Sequence, residues 1–479
     1  MADSKTNAKQ SFDAYSLIIG FSGSLGSGCT FLSEGIAQTL GTAAHYFKVS
    51  DYLRKEAKTR GLPDTVDALQ TLGDELRSTT KQLSILVEKC LERVREEDEE
   101  KGFSQDDDTV ILIDGIKNEG EVKYLRQFAN FYLVSVHAER HQRRSRLING
   151  EAATSRFKTV EEFQDADRRD EEEDIPHGQQ IKKCNYLADI IIDNDKEFAQ
   201  HQETDKTKFF QAFLNDYIYP MRKARKGERA HDRPPKVDET LITMAYCASK
   251  RSSCLKRKVG AVIAFIRSVD DVYPDANRDR IERDMPFQVV SVGYNDVPWG
   301  TPCVFSDWQK CYRDHLQETH AQLLKHCWSC GHMIPDKLVC PHCKTSEQPR
   351  AIKCSNCEAD LLADYECSEC KSRVFSVCLP GREATPGNLL DMCRALHAEE
   401  NAILGLSGVG KMGKGELVLY TTTFPCNLCA NKIIAAGIKK VYYAEPYTMK
   451  ESRELLEKCK VEVVKFQGIK SSAFFRLYS

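Results

Sequence analysis

The stretches LHAEENAIL (396–404) and TTTFPCNLCA (421–430) decide how the C-terminal part of this chain is organised. Between them they supply one imidazole, His397, and two thiols, Cys426 and Cys429. One His and two Cys make three protein ligands for zinc, which leaves the fourth tetrahedral position open to water. Bound zinc lowers the pKa of that water to about 7, so the two stretches predict a catalytic metal site.

The residues around these ligands predict the secondary structure that such a site needs. Residues 398–404 have the pattern of a helix, which puts His397 and Glu399 at its start. Residues 416–422 predict a strand that leads to the first thiol, and residues 427–436 predict a second helix. The second thiol then lies near a helix N-terminus, where a thiolate is favoured over a thiol. Glu399 has no ligand role left and is the candidate catalytic proton carrier.

The order His-x-Glu followed by Pro-Cys-x-x-Cys is the pattern of zinc-dependent nucleobase deaminases. Two other interpretations are a closed, structural zinc knuckle and a chance match. We favour the catalytic interpretation, because the motif requires a particular secondary structure and the surrounding sequence predicts it.

Composition restricts the class of protein. The chain has 479 residues, enough for two or three domains, and its hydrophobic content of 41% is that of a globular protein. A net charge of −3 gives no general attraction to nucleic acid or to a membrane surface. The sequence lacks an apolar run long enough for a transmembrane span and an N-terminal secretory pattern. Of its 20 cysteines, ten lie in Cys-x-x-Cys pairs, which indicates metal binding in a reducing, cytoplasmic compartment.

A second motif lies near the N-terminus. Residues 15–21 predict a buried strand, a glycine-rich loop follows at 23–30, and a helical stretch begins at Phe31. Strand, glycine loop and helix form the setting of a phosphate-binding loop. The candidate nucleotide-binding residues are Gly23, Gly26, Gly28, Cys29, Thr30 and Asp114.

One residue of this loop departs from the usual pattern. Gly23 and Gly28 have the expected spacing and Thr30 is placed to bind Mg²⁺, but Cys29 stands where a lysine belongs. Backbone amides can hold phosphate without that lysine, whereas efficient phosphoryl transfer normally needs it. We therefore expect nucleotide binding, with Mg²⁺ as a candidate cofactor, and little hydrolysis. The alternative is a glycine turn that binds nothing.

The rest of the N-terminal part resembles nucleoside and nucleotide kinases. Residues 110–114 and 131–136 predict further strands of a parallel sheet, and residues 187–193 predict its last strand. The arginines of 141–146 fit either a lid over the phosphates or a solvated helix face. The acidic stretch 161–174 predicts a surface helix or loop.

A further resemblance is carried by blocks ahead of the zinc motif. These are Arg251-Ser-Ser-Cys254, the strand 259–263, Gly293-Tyr-Asn295 and Pro298. With the zinc motif they resemble the deoxycytidylate deaminase family. That resemblance implies a mixed five-stranded sheet flanked by helices, and a nucleotide pocket with Arg251, Ala261 and Asn295 as candidate substrate residues. Helix-end and turn chemistry is the alternative role for Arg251 and Asn295.

The whole architecture resembles the bacterial antiviral deoxycytidylate deaminases. The resemblance implies depletion of dCTP and dCMP during phage infection, restraint by a small RNA antitoxin, and a homo-oligomeric assembly. From the glycine loop without its lysine we further expect the N-terminal domain to bind a regulatory nucleotide.

Between the blocks and the zinc motif lie two near repeats of Cys-x2-Cys-x9-Cys-x2-Cys. Each cysteine of the first recurs 27 positions later in the second. Four thiolates fill a zinc tetrahedron, so we expect two structural zinc ribbons in addition to one catalytic zinc. Their contacts are left open, since aromatic residues that could stack on bases are few. The predicted ligands are Cys327, Cys330, Cys340, Cys343, Cys354, Cys357, Cys367 and Cys370.

The sequence therefore predicts an α/β protein in which a kinase-like parallel-sheet domain precedes a cytidine-deaminase-like α/β/α domain. The expected reaction is conversion of a deoxycytidine nucleotide to the deoxyuridine nucleotide. Two rival classes are a deaminase of RNA or single-stranded DNA and a non-enzymatic nucleotide sensor. The predicted segments are a disordered terminus at 1–14, the kinase-like domain at 15–220, a linker at 221–236 and the deaminase domain at 237–479, with the ribbons at 323–378.

Overall fold

The structure is a computed structural model with two main sheets, each covered by helices. The residues that it describes are 12, 15–101, 109–148, 156–171, 175–195, 203–230, 235–267, 286–298, 311, 338–339, 346–347, 394–408, 414–445 and 450–478. Within that part of the chain, none of the helices combines the length and apolar character needed to cross a membrane.

The N-terminal sheet has six strands in the order β13-β5-β4-β1-β3-β2, where β13 is the two-residue strand Gly468–Ile469. Its first five strands in sequence run parallel. The central strands are apolar and buried along most of their length, as expected for strands covered on both faces. This confirms the predicted parallel sheet. The five strands are β1 (Leu17–Ser22), β2 (Ala44–Lys48), β3 (Val110–Asp114), β4 (Phe131–His137) and β5 (Ile190–Asp193).

Helices cover both faces of this sheet and form two apolar clusters with it. A five-residue π-helical turn, Leu214–Ile218, joins the last two helices. The helices are α1 (Cys29–Leu40), α2 (Val49–Thr59), α3 (Val66–Thr80), α4 (Ile85–Lys101), α5 (Glu119–Leu125), α6 (Arg140–Ile148), α7 (Val160–Glu171), α8 (Ile181–Leu187), α9 (Glu203–Phe213) and α10 (Tyr219–Arg225).

The structure differs from the sequence predictions at several points of this domain. The edge strand β2 was not predicted, because it is short and only partly buried. The last strand begins at Ile190, since the preceding residues end helix α8. Phe12, inside the stretch expected to be disordered, is buried and packs against Phe128; its neighbours 1–11 and 13–14 lie outside the described residues.

The acidic stretch predicted to be a surface element is helix α7, and one of its faces is buried. Phe163, Asp167 and Asp170 are at most 1% exposed. The carboxylates are buried because basic side chains of the domain face them: Asp167 pairs with Arg143 and Asp170 pairs with Lys117. The stretch is therefore a helix at the surface, as predicted, and the buried ion pairs of its inner face are what the sequence did not predict.

The second sheet has five strands in the order β12-β11-β10-β6-β7. Strand β10 runs antiparallel to β6 and parallel to β11, so the predicted mixed five-stranded sheet is confirmed. Its strands are β6 (Gly260–Arg267), β7 (Phe287–Tyr294), β10 (Gly415–Thr423), β11 (Lys440–Glu445) and β12 (Glu462–Lys465). Its helices are α11 (Val237–Ser249), α12 (Ala398–Leu404), α13 (Asn427–Ala435) and α14 (Lys450–Lys458).

Two glycines let helices lie directly on this sheet. A side chain at Gly260 would collide with the backbone of α11, and one at Gly293 would collide with the backbone of α12 at Ala398 and Ala402. Gly293 belongs to the Gly-Tyr-Asn block that carried the family resemblance. Its place in the fold explains part of that block, since α12 begins directly after His397.

The C-terminal residues leave the second sheet and join the first. Strand β13 (Gly468–Ile469) pairs antiparallel with β5, and helix α15 (Ser471–Tyr478) packs into the apolar cluster of the N-terminal sheet. Glu239 of α11 accepts hydrogen bonds from Ile469 N and Tyr478 Oη. The C-terminal residues of the chain therefore complete the N-terminal sheet, so the two halves of the molecule are linked by strand pairing as well as by packing. The predicted domain division did not include this link.

The segment between β7 and α12 is described at few positions. Two short strands, β8 (Leu338–Val339) and β9 (Ser346–Glu347), form an antiparallel pair on either side of Cys340 and Cys343. All eight predicted ribbon ligands lie outside the described residues, so the ribbons remain a prediction.

Candidate active site

Three donor atoms meet where α12 and α13 begin. His397 Nδ1 lies 3.3 Å from both Cys426 Sγ and Cys429 Sγ, and the three atoms all lie within 4.8 Å of one another. Ligand bonds of about 2.0–2.3 Å in a tetrahedron place donor atoms roughly 3.5 Å apart. The three side chains thus fit a zinc ion, and the structure brings together the set that the sequence predicted.

The local fold places each ligand at a helix start. His397 is the N-cap residue of α12, and Glu400 closes a capping box by accepting from His397 N. Cys426 is the N-cap residue of α13, so its thiol lies beside free backbone amides. An ion pair of 2.7 Å between Lys432 and Glu400 also links the two helices, which pack in one apolar cluster. The spacing of the ligands is therefore set by two helix starts that are packed together.

The thiols have unequal acidity. The pKa of Cys426 lies below its ordinary value, because Cys429 donates a hydrogen bond to it and His397 adds to the effect. A thiolate is the form that binds zinc, and metal binding itself drives deprotonation of both thiols. One of the two sulfurs is thus prepared for a metal before it binds.

Glu399 lies beside the ligands and is 4% exposed. Its Oε1 atom accepts a hydrogen bond of 3.0 Å from Thr421 Oγ1, and its Oε2 atom lies 3.5 Å from Cys429 Sγ. Burial raises the pKa of the Glu399 carboxyl above its ordinary value. A carboxyl whose pKa is raised by burial holds a proton more readily than an exposed one, which suits a group that must take and return a proton during catalysis.

The three residues predicted to bind substrate have different surroundings. The Asn295 side chain accepts from Val259 N at 2.7 Å and donates to Arg257 O at 2.8 Å, so it holds the loop before β6. Arg251 is exposed in the turn that follows α11. Ala261 is fully buried in β6, opposite Thr421 and in the same apolar cluster as the ligand thiols. A role in substrate binding stays a prediction for all three residues.

Comparison with known proteins agrees with this geometry. The family described as "Cytidine and deoxycytidylate deaminase zinc-binding region" matches residues 288–445, which include all three ligands and Glu399. Residues 288–445 are therefore similar to that family over about a third of the chain. The family description supports zinc as the metal of this site.

Individual relatives match parts of the chain. Deoxycytidylate deaminase of Schizosaccharomyces pombe is 25% identical over 289 residues, which are 60% of this chain and 57% of that protein. A UPF0200 protein of Methanothrix thermoacetophila is 34% identical over 131 residues, 27% of this chain and 64% of that protein. The chain thus spans less than two thirds of the length of either relative. A dCMP deaminase structure from cyanophage S-TIM5 covers 49% of this chain and 98% of its own, at 18% identity and a TM-score of 0.24.

The predicted phosphate-binding loop connects β1 to α1 in the N-terminal sheet. Gly26 and Gly28 have positive φ, the left-handed region that favours glycine. Thr30 Oγ1 donates to Asp114 Oδ2 at 2.8 Å, so the predicted Mg²⁺-binding hydroxyl and the carboxylate of another predicted nucleotide-binding residue lie together. The burial of Cys29, with a contribution from Asp114, raises the pKa of its thiol to about 12. The thiol is therefore neutral and contributes no charge to the loop.

The arginines of α6 hold this loop. Arg143 donates to Leu25 O at 3.2 Å, and Arg146 donates to Gly26 O at 3.1 Å and to Asn194 O. Arg143 is 3% exposed, so a solvated helix face does not describe it. Both guanidinium groups bind loop carbonyls and fix the loop's shape.

Sequence reasoning missed several residues that surround these two sites. Thr421, on β10, orients Glu399 by donating a hydrogen bond to it. Arg453 bridges the two halves of the molecule: it pairs with Glu139, in the loop after β4, at 3.1 Å and donates to Tyr443 Oη on β11 at 2.8 Å. Their partners are 22, 314 and 10 positions away in sequence. The position of Thr421, in the strand that leads to Cys426, is the one local indication that it lies near the site. The sequence around Arg453 gives no such indication.

Proposed function

We propose that this protein is a zinc-dependent hydrolase that converts a deoxycytidine nucleotide, dCMP or dCTP, to the deoxyuridine nucleotide and ammonia. One observation carries the proposal: a buried glutamate, Glu399, lies beside a His, Cys, Cys ligand set without belonging to it. A closed structural site would have four ligands and no need for a buried carboxyl beside them.

The residues of the site divide the work of deamination. Zinc, when bound by His397, Cys426 and Cys429, would lower the pKa of a water molecule, so that hydroxide is available at neutral pH to attack C4 of the cytosine ring. Glu399 would carry the protons of the reaction: one from the attacking water to N3, and then a second to the departing amino group. Thr421 holds the carboxylate of Glu399 in one orientation by donating to Oε1. Water is consumed, ammonia leaves, and the carboxyl returns to its starting state.

The choice of a deoxycytidine nucleotide as substrate is supported by relatives. The S. pombe relative and a 23% identical relative from Saccharomyces cerevisiae are both named deoxycytidylate deaminase. Arg251, Ala261 and Asn295 are our candidates for the residues that surround the nucleotide, with Asn295 acting on the loop that it holds.

The N-terminal domain is proposed to bind a regulatory nucleotide with Mg²⁺ at Thr30 and Asp114, and to hydrolyse it slowly or not at all. Contacts between the sheets support control of the zinc site from this domain. Arg453 pairs with Glu139, which lies two residues after β4, and its guanidinium lies 5.1 Å from the centre of the Phe424 ring. Phe424 lies two residues before the ligand Cys426, so one arginine touches both the kinase-like domain and the zinc-binding loop.

The proposed biological setting is defence against phage in the bacterial cytoplasm, by depletion of deoxycytidine nucleotides. The resemblance of the whole architecture to antiviral deaminases supports it. A small RNA antitoxin, assembly into a homo-oligomer and two structural zinc ribbons belong to the same proposal. Cells that express the wild-type chain should resist a DNA phage and lose dCTP after infection, whereas cells with Glu399→Ala should do neither.

Two other functions compete with this proposal. A deaminase of RNA or single-stranded DNA would use the ribbons to hold the strand, but a net charge of −3 gives no general attraction to a polynucleotide. A nucleotide sensor would bind without turnover. Incubation with dCMP, dCTP, single-stranded DNA and RNA separates the three: we expect ammonia only from the free nucleotides. Ammonia from a polynucleotide alone would favour the first alternative, and zinc-loaded protein without turnover would favour the second.

A further inference from the structure

The glycine loop lacks the lysine that usually neutralises bound phosphate, but another lysine side chain lies near the loop in the structure. Lys117 follows β3, three residues after Asp114, and its side chain is 24% exposed. Its Nζ atom pairs with the Asp170 carboxylate. The charge of Lys117 is close enough to the loop to lower the pKa of Cys29, which occupies the position of the missing lysine.

Asp170 occupies the loop as an anion would. Its side chain is fully buried, its Oδ2 atom accepts a hydrogen bond of 2.9 Å from Leu25 N, and its Oδ1 atom accepts from Lys117 Nζ. One carboxylate thus joins a backbone amide of the loop to an ammonium group. A phosphate group also offers several oxygen atoms on one centre, so it could accept from the same two donors.

The element that carries Asp170 is attached separately from the main core. Helix α7 packs through Phe163 into a small cluster with Leu147 and Phe157, apart from the two large clusters of the N-terminal sheet. Its other contacts in the described residues are largely ion pairs at its charged face. An element with few buried apolar contacts opens at lower cost than the core, so withdrawal of α7 from the loop is feasible.

We infer that Lys117 is the cation that binds the phosphates of a nucleotide on the glycine loop, and that Asp170 occupies this place until the nucleotide displaces it. The inference rests on the proposed nucleotide binding by the N-terminal domain. It identifies the ligand class as a nucleoside polyphosphate. The phosphate must compete with Asp170 for Lys117 and the Leu25 amide, so removing the carboxylate charge strengthens binding and removing the ammonium weakens it.

Equilibrium binding of ATP, and of inorganic tripolyphosphate as a probe without a base, tests this in the full-length zinc-loaded protein with Mg²⁺. We expect Lys117→Met to weaken binding about 10- to 100-fold, the range for loss of a charge-assisted hydrogen bond, and Lys117→Arg to restore part of it. Asp170→Asn should strengthen binding several-fold, because the amide still accepts from Leu25 N but no longer competes as an anion.

Two exposed substitutions serve as matched controls for charge. Lys123→Met removes a lysine whose side chain is 68% exposed, and Asp165→Asn removes a carboxylate that is 75% exposed on the same helix as Asp170. Neither should change affinity beyond twofold. Circular dichroism and zinc content of each variant establish that the fold is retained.

The outcomes separate this inference from the proposed function. Suppose that the wild-type protein binds ATP and that Lys117→Met, Asp170→Asn and the controls bind it with the same affinity. That result would overturn the role of Lys117 and leave nucleotide binding by the loop intact. Absence of binding in both the wild-type protein and Asp170→Asn would overturn nucleotide binding itself. Binding that is detectable only after Asp170→Asn would support displacement most directly.

Discussion

Replacement of Glu399 by glutamine separates proton transfer from every other property of the zinc site. Glutamine has the shape of glutamate, so its carbonyl oxygen can still accept the 3.0 Å hydrogen bond from Thr421 Oγ1. Its amide can donate toward Cys429 Sγ, which lies 3.5 Å from the present carboxylate. No buried polar group is left without a partner, and we expect the free energy of unfolding to change by less than about 1 kcal/mol.

The effect on turnover should be large. General acid–base catalysis is typically worth about 10²–10⁴-fold, which corresponds to roughly 3–5 kcal/mol of activation free energy. Ammonia release from dCMP and dCTP is measured beside zinc content, with Glu416→Gln as a control that neutralises an exposed carboxylate on β10. The expected result is unchanged zinc, a drop in kcat of at least a hundredfold in Glu399→Gln, and near-normal kcat in the control. A Glu399→Gln protein that keeps most of its turnover would refute the assignment.

Three further predictions concern metal, coupling and pH. One catalytic site and two ribbons predict that metal analysis finds three zinc ions per chain. Cys354→Ser should lower thermal stability while the catalytic zinc stays bound. A single zinc ion per chain, in protein purified without chelator, would rule out the ribbons. Arg453→Met should reduce the effect of ATP on the rate of deamination, because it removes the contact between Glu139 and the residues that precede Cys426. Lys458→Met, an exposed substitution on the same helix, should leave the effect of ATP unchanged. An equal effect of ATP in both variants would exclude regulation through Arg453. Burial lowers the pKa of Lys470 to about 8 from 10.5, so between these values the unfolded chain binds more protons and stability rises with pH. Relative to Lys470→Met, the wild-type protein should gain about 2 kcal/mol in urea unfolding between pH 7 and 9.5, and a constant difference would contradict a buried ammonium group.

The parts of the molecule that follow from local sequence were predicted well. Helix α12 begins and ends where the residues after His397 predicted, and α13 differs by one residue at its C-terminal end. Strand β10 extends one residue beyond the prediction at each end. These elements carry their own helix starts and apolar patterns, so few neighbouring residues are enough to define them.

The parts that depend on distant partners could not be predicted. Strand β13 has two residues and no pattern of its own, and it exists because β5 offers a free edge. The acidic helix α7 has the composition of a surface element, yet Asp170 lies against the glycine loop 145 positions earlier in the sequence. Arg453 lies 314 positions from Glu139. Contacts of this kind are set by tertiary packing, which a single sequence does not encode at any one position.

Ammonia release from free deoxycytidine nucleotides is the most direct test of the central claim. The purified, zinc-loaded full-length chain is incubated with dCMP, dCDP and dCTP, and ammonia and the uracil nucleotide are quantified together. We predict equal amounts of both products from at least one of the three nucleotides, formed at least a hundredfold more slowly with Glu399→Gln. Zinc-loaded, folded protein that binds these nucleotides but forms neither product, alone or with ATP and Mg²⁺ added, would contradict the account.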